Sequence, residues 1–270
     1  MILAVSDAHL GYEMCDKGAF TEFVHNYVLE TLGPDDHLVL LGDIFDFWRK
    51  RNADCLMRSE VILKDMLSLD ATVHYVVGNH DYAMLQFKRM FREYGAFEME
   101  KYVRLQSGSA SFFFVHGYQL DVVANYESMT LRDYERISEE LCRSGNALGR
   151  VLSGLWGITK KLQKPPEKRK SWVRHQGSIP KTVAHIKNVE DLACSAGRSV
   201  VLGMRSDEVL VFGHTHRPFV NERTANTGSW LRDAPPEYER NTYITVDAGA
   251  MTLHTWQQGR GKELAQCESA

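Results

Sequence analysis

The chain has no apolar run approaching the ~20 residues that span a bilayer, and no basic segment ahead of its first apolar stretch. Met1-Ile-Leu-Ala-Val-Ser-Asp7 therefore reads as a strand and not as a secretory signal. Paired cysteines are lacking as well. The five cysteines, Cys15, Cys55, Cys142, Cys194 and Cys267, are scattered and form no Cys-x-x-Cys. That excludes a disulfide framework and a cysteine zinc site, and suits a reducing compartment. No repeat recurs at a fixed period. Charge of one sign is also missing in bulk: the formal net charge is −3 over 270 residues, which marks no general affinity for nucleic acid. What remains is an ordinary globular composition, 44% hydrophobic and 25% charged, long enough for one domain carrying a sizeable insertion. A cytoplasmic protein is expected, with peripheral contact at the inner face of a membrane left open.

The first 116 residues alternate between two periods. Ile2–Val5, His37–Leu41 and Val73–Val77 are short apolar runs of the kind that form buried strands. Between them, apolar residues at helical spacing predict helices over Ala19–Leu32 and Val61–Leu69, with Gly33-Pro34 ending the first. A further helix is expected over Met84–Tyr94, then strands at Tyr102–Leu105 and Ser111–Val115. Residues 119–203 differ, being helical in pattern, polar and less regular. Within them Lys160 to Arg174 holds seven basic residues against Glu167 alone, a formal +6. The strand rhythm resumes at Val209–Phe212 and ends in a predicted hairpin, Tyr243–Val246 with Met251–Trp256. The tail after Gln257 is expected to fray. The pattern is that of one α/β domain over residues 1–270, interrupted by a helical, basic insertion at 119–203.

Polar residues cluster at the carboxyl ends of five of these strands. The clusters are Asp7-Ala8-His9, Gly42-Asp43, Gly78-Asn79-His80-Asp81, His116-Gly117 and Gly213-His214-Thr215-His216. In α/β proteins that end of the sheet forms the ligand crevice, so the five segments are expected to converge. Asp7 and Asp43 offer anionic oxygen, Asn79 amide oxygen, and His9, His116, His214 and His216 neutral imidazole. Such a mixed set suits a first-row divalent metal. If the chain stays extended, Asp7 and His9 share one side, as do His214 and His216. Taken singly, an Asp-x-His is a polar loop and a Gly-Asp or Gly-Asn a turn. The shared position at strand ends is what the commonplace reading leaves unexplained.

In order and spacing these motifs resemble those of the calcineurin-like metallophosphoesterases: Asp-x-His, Gly-Asp-x-x-(Asp/Glu), Gly-Asn-His-(Asp/Glu), a lone His and Gly-His-x-His. Here they are Asp7-Ala8-His9, Gly42-Asp43-Ile-Phe-Asp46, Gly78-Asn79-His80-Asp81, His116 and Gly213-His214-Thr215-His216. The resemblance implies a four-layer α/β/β/α sandwich with two mixed sheets. It also implies two divalent metal ions, manganese first, with iron or zinc as alternatives. One would take Asp7, His9, Asp43 and His216, the other Asp43, Asn79, His116 and His214. Asp43 would bridge, and a hydroxide activated by the two ions would attack phosphorus. His80 would support the transition state or the leaving oxygen, and Asp81 or Asp46 would orient a histidine.

Substrate choice must come from outside the metal ligands. Trp48 lies close to Asp43 in sequence, and Arg217 follows His216, so both are expected to meet substrate together with Asn79. The insertion looks similar to the lid of the UDP-2,3-diacylglucosamine pyrophosphatase branch. Apolar Leu148, Val151, Leu152, Leu155, Trp156 and Ile158 would face an acyl chain, and the basic run, broken by Pro165-Pro166, an anionic head. The chain departs from that branch in having His80 where the branch carries Arg, and Tyr118 where it carries Asp. The expected partner is a phosphorylated small molecule or lipid, such as a UDP-diacylglucosamine-like diphosphate. Competing readings are a manganese-dependent nuclease, a protein phosphatase and a non-catalytic scaffold of the same fold.

Overall fold

The computed structural model describes residues 1–92, 97–144 and 180–268. In chain order its strands are β1 (Ile2–Val5), β2 (His37–Leu41), β3 (Thr72–Val76), β4 (Phe97–Glu100), β5 (Tyr102–Ser107), β6 (Ala110–Val115), β7 (Val209–Phe212), β8 (Phe219–Asn221), β9 (Thr224–Asn226), β10 (Thr242–Asp247), β11 (Ala250–Gln257) and β12 (Arg260–Glu268). The α-helices are α1 (Lys17–Phe23), α2 (Leu29–Thr31), α3 (Asn52–Arg58), α4 (Glu60–Leu67), α5 (Lys88–Arg92), α6 (Tyr118–Asn125), α7 (Leu131–Ser144), α8 (Pro180–Ala193) and α9 (Gly197–Leu202). Among the described residues no helix is long and apolar enough to cross a membrane.

Strands β1 to β4 run parallel, and β10, β11 and β12 continue the sheet antiparallel from β1, in the order β12-β11-β10-β1-β2-β3-β4. A second mixed sheet has the order β5-β6-β7-β9-β8, with β6, β7 and β9 parallel. The central strands are apolar throughout because both faces are covered. Along β1, Leu3 and Val5 join Phe20, Phe23 and Ile62 under the helices, while Ile2 and Ala4 face Phe112, Phe114, Val209 and Val211 of the second sheet. The outer face of that sheet, Phe113, Val115, Leu210 and Phe212, is covered by Leu120 of α6 and Val189 and Ala193 of α8. The result is the expected four layers, helix, sheet, sheet, helix.

Several elements differ from expectation. The first helix begins two residues early, where Asp16 Oδ1 accepts from Ala19 N at 3.4 Å, and it passes through a π-helical turn at Val24–Val28. The predicted Val61–Leu69 helix is α4, preceded by the unpredicted α3. Tyr82–Phe87 is a 3₁₀ segment leading into α5, so the predicted Met84–Tyr94 helix is divided; Tyr94 lies outside the described residues. Strands β4, β8 and β9 have only three or four residues, too few for a period to register. The largest correction is at the tail. Residues after Gln257 do not fray but form β12, turned back onto β11 through Gln258 and Gly259 at φ 53° and 72°. Its side chains are mostly exposed and polar on both faces, so an edge strand of this kind shows no alternation to read. The insertion's basic run Lys160–Arg174, with Pro165-Pro166 and the apolar positions from Leu148 to Ile158, lies outside the described residues.

Trp230 sits at the centre of an aromatic cluster, with ring centroids 5.0 Å from Phe20 and 4.9 Å from Phe23. Tyr243 and Trp256 pack on Phe23 from the far side, at 4.8 and 5.6 Å. Its main chain also ties the cluster to the first motif, since Trp230 N donates to Asp7 O at 3.1 Å. Trp230→Ala is therefore expected to cost about 3–5 kcal/mol, read as a fall in the denaturant midpoint at unchanged slope.

Candidate metal centre

Both sheets present the carboxyl ends of their strands to one place. β1 leads to Asp7 and His9, β2 to Asp43, β3 to Asn79 and His80, β6 to His116, and β7 to His214 and His216. The loops are stitched to one another by main-chain bonds: Asp7 N to Gly42 O at 3.0 Å, His9 N to Asp43 O at 2.9 Å, and Gly213 N to His116 O at 2.9 Å. The extended geometry expected for Asp7-x-His9 and His214-x-His216 is not what the chain adopts. Asp7, His9, Asp43, His214 and His216 all have φ between 48° and 67°, the left-handed region. L-residues adopt it only at a cost, so its recurrence at five of the expected ligand positions marks strain held by the surroundings. Gly213 lets Ser6 and Asp7 come close: a Cβ there would lie 2.3 Å from Ser6 Oγ and 2.5 Å from Asp7 Oδ2.

Three donor groups, each with ligand atoms within 4.8 Å of one another, overlap here: Asp7, His9 and His216; His9, Asp43 and His80; Asp43, His116 and His214. His216 Nε2 is 3.1 Å from Asp7 Oδ1, and His116 Nε2 is 3.2 Å from Asp43 Oδ2. Asp7 Oδ1, Asn79 Oδ1 and His116 Nε2 are buried and make no aligned hydrogen bond, the first and last having only His216 and Asp43 at ion-pair distance. Buried polar atoms are costly to leave unmatched, and three donor atoms of the expected ligand set in this condition fit cations held among them. The other histidine nitrogens are already engaged. His116 Nδ1–H donates to Leu41 O at 2.9 Å, and His9 Nδ1–H to Asp46 Oδ2 at 3.2 Å, which leaves each Nε2 as the donor atom for an ion.

The electrostatics agree. Burial alone would pull His9 down, but hydrogen bonds to Asp46 and Asp7 and the charge of Asp43 push it up to about 10. Burial likewise opposes His116, which the Asp43 and Asp7 charges push up to about 9. Burial would raise Asp43, yet the His116 and His80 charges hold it well below the ordinary carboxylate range. The carboxylates thus create a field that draws positive charge, and in the protein alone the imidazoles supply it as protons.

A family model, calcineurin-like phosphoesterase, matches residues 1–218. The chain belongs to the calcineurin-like phosphoesterase family. This phosphoesterase is a hydrolase of phosphoesters, in a family that depends on two metal ions. No curated protein matches it. Among solved structures, a dimetal phosphatase from Danio rerio is 15% identical, with 100% of this chain and 98% of that one covered at a TM-score of 0.47. Vacuolar protein sorting 29 from Cryptosporidium parvum is 14% identical over 98% of this chain and 96% of that one, at 0.41. A novel archaeal phosphodiesterase is 13% identical over 97% and 98%, at 0.43. These likenesses say nothing of activity or substrate.

Around the ligands of the phosphoesterase, Asp46 and Asp81 divide their work. Asp46 holds two histidines, with Oδ2 on His9 Nδ1 and Oδ1 3.2 Å from His80 Nδ1, and pairs with Arg49. Asp81 orients no histidine. Its carboxylate accepts from Gly78 N at 2.7 Å, Ile44 N at 2.8 Å and Tyr75 Oη–H at 2.6 Å, locking the second and third motif loops together. Burial, helped by the Asp43 charge, pushes it up to about 6. Of the residues expected to meet substrate, Trp48 is buried and stacks on the His80 ring at 4.1 Å, so it fixes that ring. Arg217 is engaged by Glu190 Oε2 of α8 at 3.0 Å.

One residue was not foreseen. Asp121, on α6, accepts from His214 Nε2 at 3.0 Å and from His185 Nε2 of α8 at 2.6 Å. With Nε2 so engaged, Nδ1 is the nitrogen left for His214 to offer an ion. The signal in the sequence is an acid among the apolar residues Tyr118, Leu120 and Val122 of α6. Asp121→Asn is expected to weaken metal binding by about 10–100-fold, read by competition with a chromogenic chelator, while the fold is kept.

Proposed function

We propose that this phosphoesterase hydrolyses a phosphoester or pyrophosphate bond in a nucleotide- or lipid-linked substrate, with two divalent ions, manganese by preference. Asp7, His9, Asp43 and His216 would hold one ion, and Asp43, Asn79, His116 and His214 the other. The observation that carries this reading is the set of buried, unmatched donor atoms on Asp7, Asn79 and His116, around an Asp43 common to two of the three donor groups. Two such ions supply charge neutralisation at the phosphoryl group and activation of water.

The protein's own groups do the rest. His80 N–H donates to Asp43 Oδ1 at 2.7 Å, so the backbone that carries His80 also fixes the shared carboxylate. Its ring is held in plane by Trp48 and by Asp46 at Nδ1, which makes Nε2 the atom that exchanges a proton. Burial lowers the His80 pKa. An anionic phosphoryl group within reach of Nε2 opposes that shift, so His80 takes up its proton together with substrate. It then gives the proton to the leaving oxygen as the bond from phosphorus to that oxygen breaks. His216, with its side chain 32% exposed, marks the side open to entering substrate. The partner class, a phosphorylated small molecule or lipid, rests on the sequence of the basic insertion, as does peripheral contact with a membrane from the cytoplasmic side.

Asp43→Asn is expected to abolish manganese-dependent hydrolysis of bis-p-nitrophenyl phosphate. His80→Ala is expected to cut turnover by about 10²–10⁴ while metal content stays near that of the parent. Hydrolysis by Asp43→Asn at the parent rate would refute the site. Single-stranded DNA, offered with manganese, is expected to remain intact; its cleavage would favour the nuclease reading.

A further inference from the structure

A groove of about 600 Å³, lined by Lys17, Arg49, Lys50, Arg58, Tyr12 and Glu13 with three smaller residues, reaches the surroundings of the metal centre through Arg49. Four cations thus face one acid. Arg49 is common to the groove and the catalytic site. Its guanidinium lies 4.3 Å from the Tyr12 ring centroid, pairs with Asp46, and comes within 3.5 Å of His80 Nδ1. Lys17 Nζ donates to the main-chain oxygen of Arg58 at 2.5 Å, and among the described residues none of Lys17, Lys50 and Arg58 has a carboxylate within 4.0 Å.

The groove is continuous with the chain that holds the first ligands. Gly11 lines it, two residues after His9, at φ 109°. A Cβ there would lie 2.5 Å from Cys55 Sγ and 3.6 Å from Lys50 Cδ, so the ligand loop is pressed against α3 and the base of Lys50. Charges of one sign gathered around a concavity repel one another, and the repulsion is relieved when an anion enters. Ammonium and guanidinium groups together suit a phosphate, which accepts from several donors at once.

We propose that this groove binds a second, uncleaved phosphate group of the substrate, adjacent to the one hydrolysed. The inference rests on the phosphoesterase reading above and narrows it to substrates with two neighbouring phosphates, a diphosphate linkage first. Lys17, Lys50 and Arg58 supply the charge, and Arg49 with Tyr12 forms the wall towards His80.

The test compares α,β-methylene adenosine diphosphate with adenosine monophosphate as inhibitors of bis-p-nitrophenyl phosphate hydrolysis by the manganese-loaded protein. The diphosphate analogue is expected to inhibit about tenfold more tightly, and Lys50→Ala/Arg58→Ala to bring the two within about threefold. Equal inhibition in the parent, or a preference unchanged in the double variant, overturns the proposal. Inorganic phosphate is the arm for a free anion. Its inhibition is expected to be the same in both proteins, and a loss equal to that of the diphosphate analogue overturns the assignment to a group within the substrate. Lys17→Ala provides a second variant of the same groove, with the same expected loss of preference. A parent protein that does not cleave the diester refutes the phosphoesterase reading by itself. Calorimetric titration with the same two nucleotides then still decides the groove, equal affinities overturning it.

Discussion

The carboxylate of Asp43 is in contact with two other parts of the chain at once, the loops after β3 and β6. Oδ1 accepts from His80 N at 2.7 Å, Oδ2 lies 3.2 Å from His116 Nε2, and a Cβ on Gly78 would meet Oδ1 at 2.1 Å. Its main-chain oxygen accepts from His9 N at 2.9 Å. A buried anion in that position is costly unless positive charge lies on several sides of it. The loops after β1 and β6 bring that charge as the imidazolium groups of His9 and His116, and the loop after β3 adds the His80 N–H. His116 comes from the second sheet, so the same demand that holds Asp43 ionised also registers one sheet against the other.

Bringing the ligands to this centre distorts the backbone. Left-handed conformations at Asp7, His9, Asp43, His214 and His216 cost about 1–2 kcal/mol each. The compensation is visible nearby. Asp81 takes three hydrogen bonds of 2.8 Å or shorter from two loops, and Trp230 brings an aromatic cluster to the back of Asp7. A strained centre with a rigid support is what metal ligation requires, because donors held in place lose little freedom when the ion arrives.

This division explains what the sequence discloses. The ligand residues are legible because the chemistry admits few residue types and because each follows a buried apolar strand. Their geometry is not legible. Alternation along an extended chain puts Asp7 and His9 on one side by a wrong route, since both are left-handed and converge through turns. Asp46 and Asp81 look alike in sequence, each an acid after a glycine motif, and only the fold assigns one to histidines and the other to backbone amides. Trp48 reads as a surface for substrate, and only the fold shows it buried and stacked on His80. Strand β12 is silent because an edge strand exposed on both faces needs no apolar period.

Asp121 belongs to the same illegible class, and it has the widest consequence. It joins His214 to His185, so the histidine that follows β7 is bonded through one carboxylate to helix α8. Glu190, farther along α8, reaches Arg217 at 3.0 Å and Thr215 at 3.5 Å on the same loop. Burial opposes the Asp121 charge, but the two histidines outweigh it and hold the carboxyl well below its usual range. Helix α8 therefore grips the loop His214–Arg217 at two points, about one and a half turns apart along the helix. In the sequence it follows the basic run Lys160–Arg174. The placement of His214 is thus tied to a helix that no ligand motif marks, although the motif that carries His214 lies elsewhere in the chain.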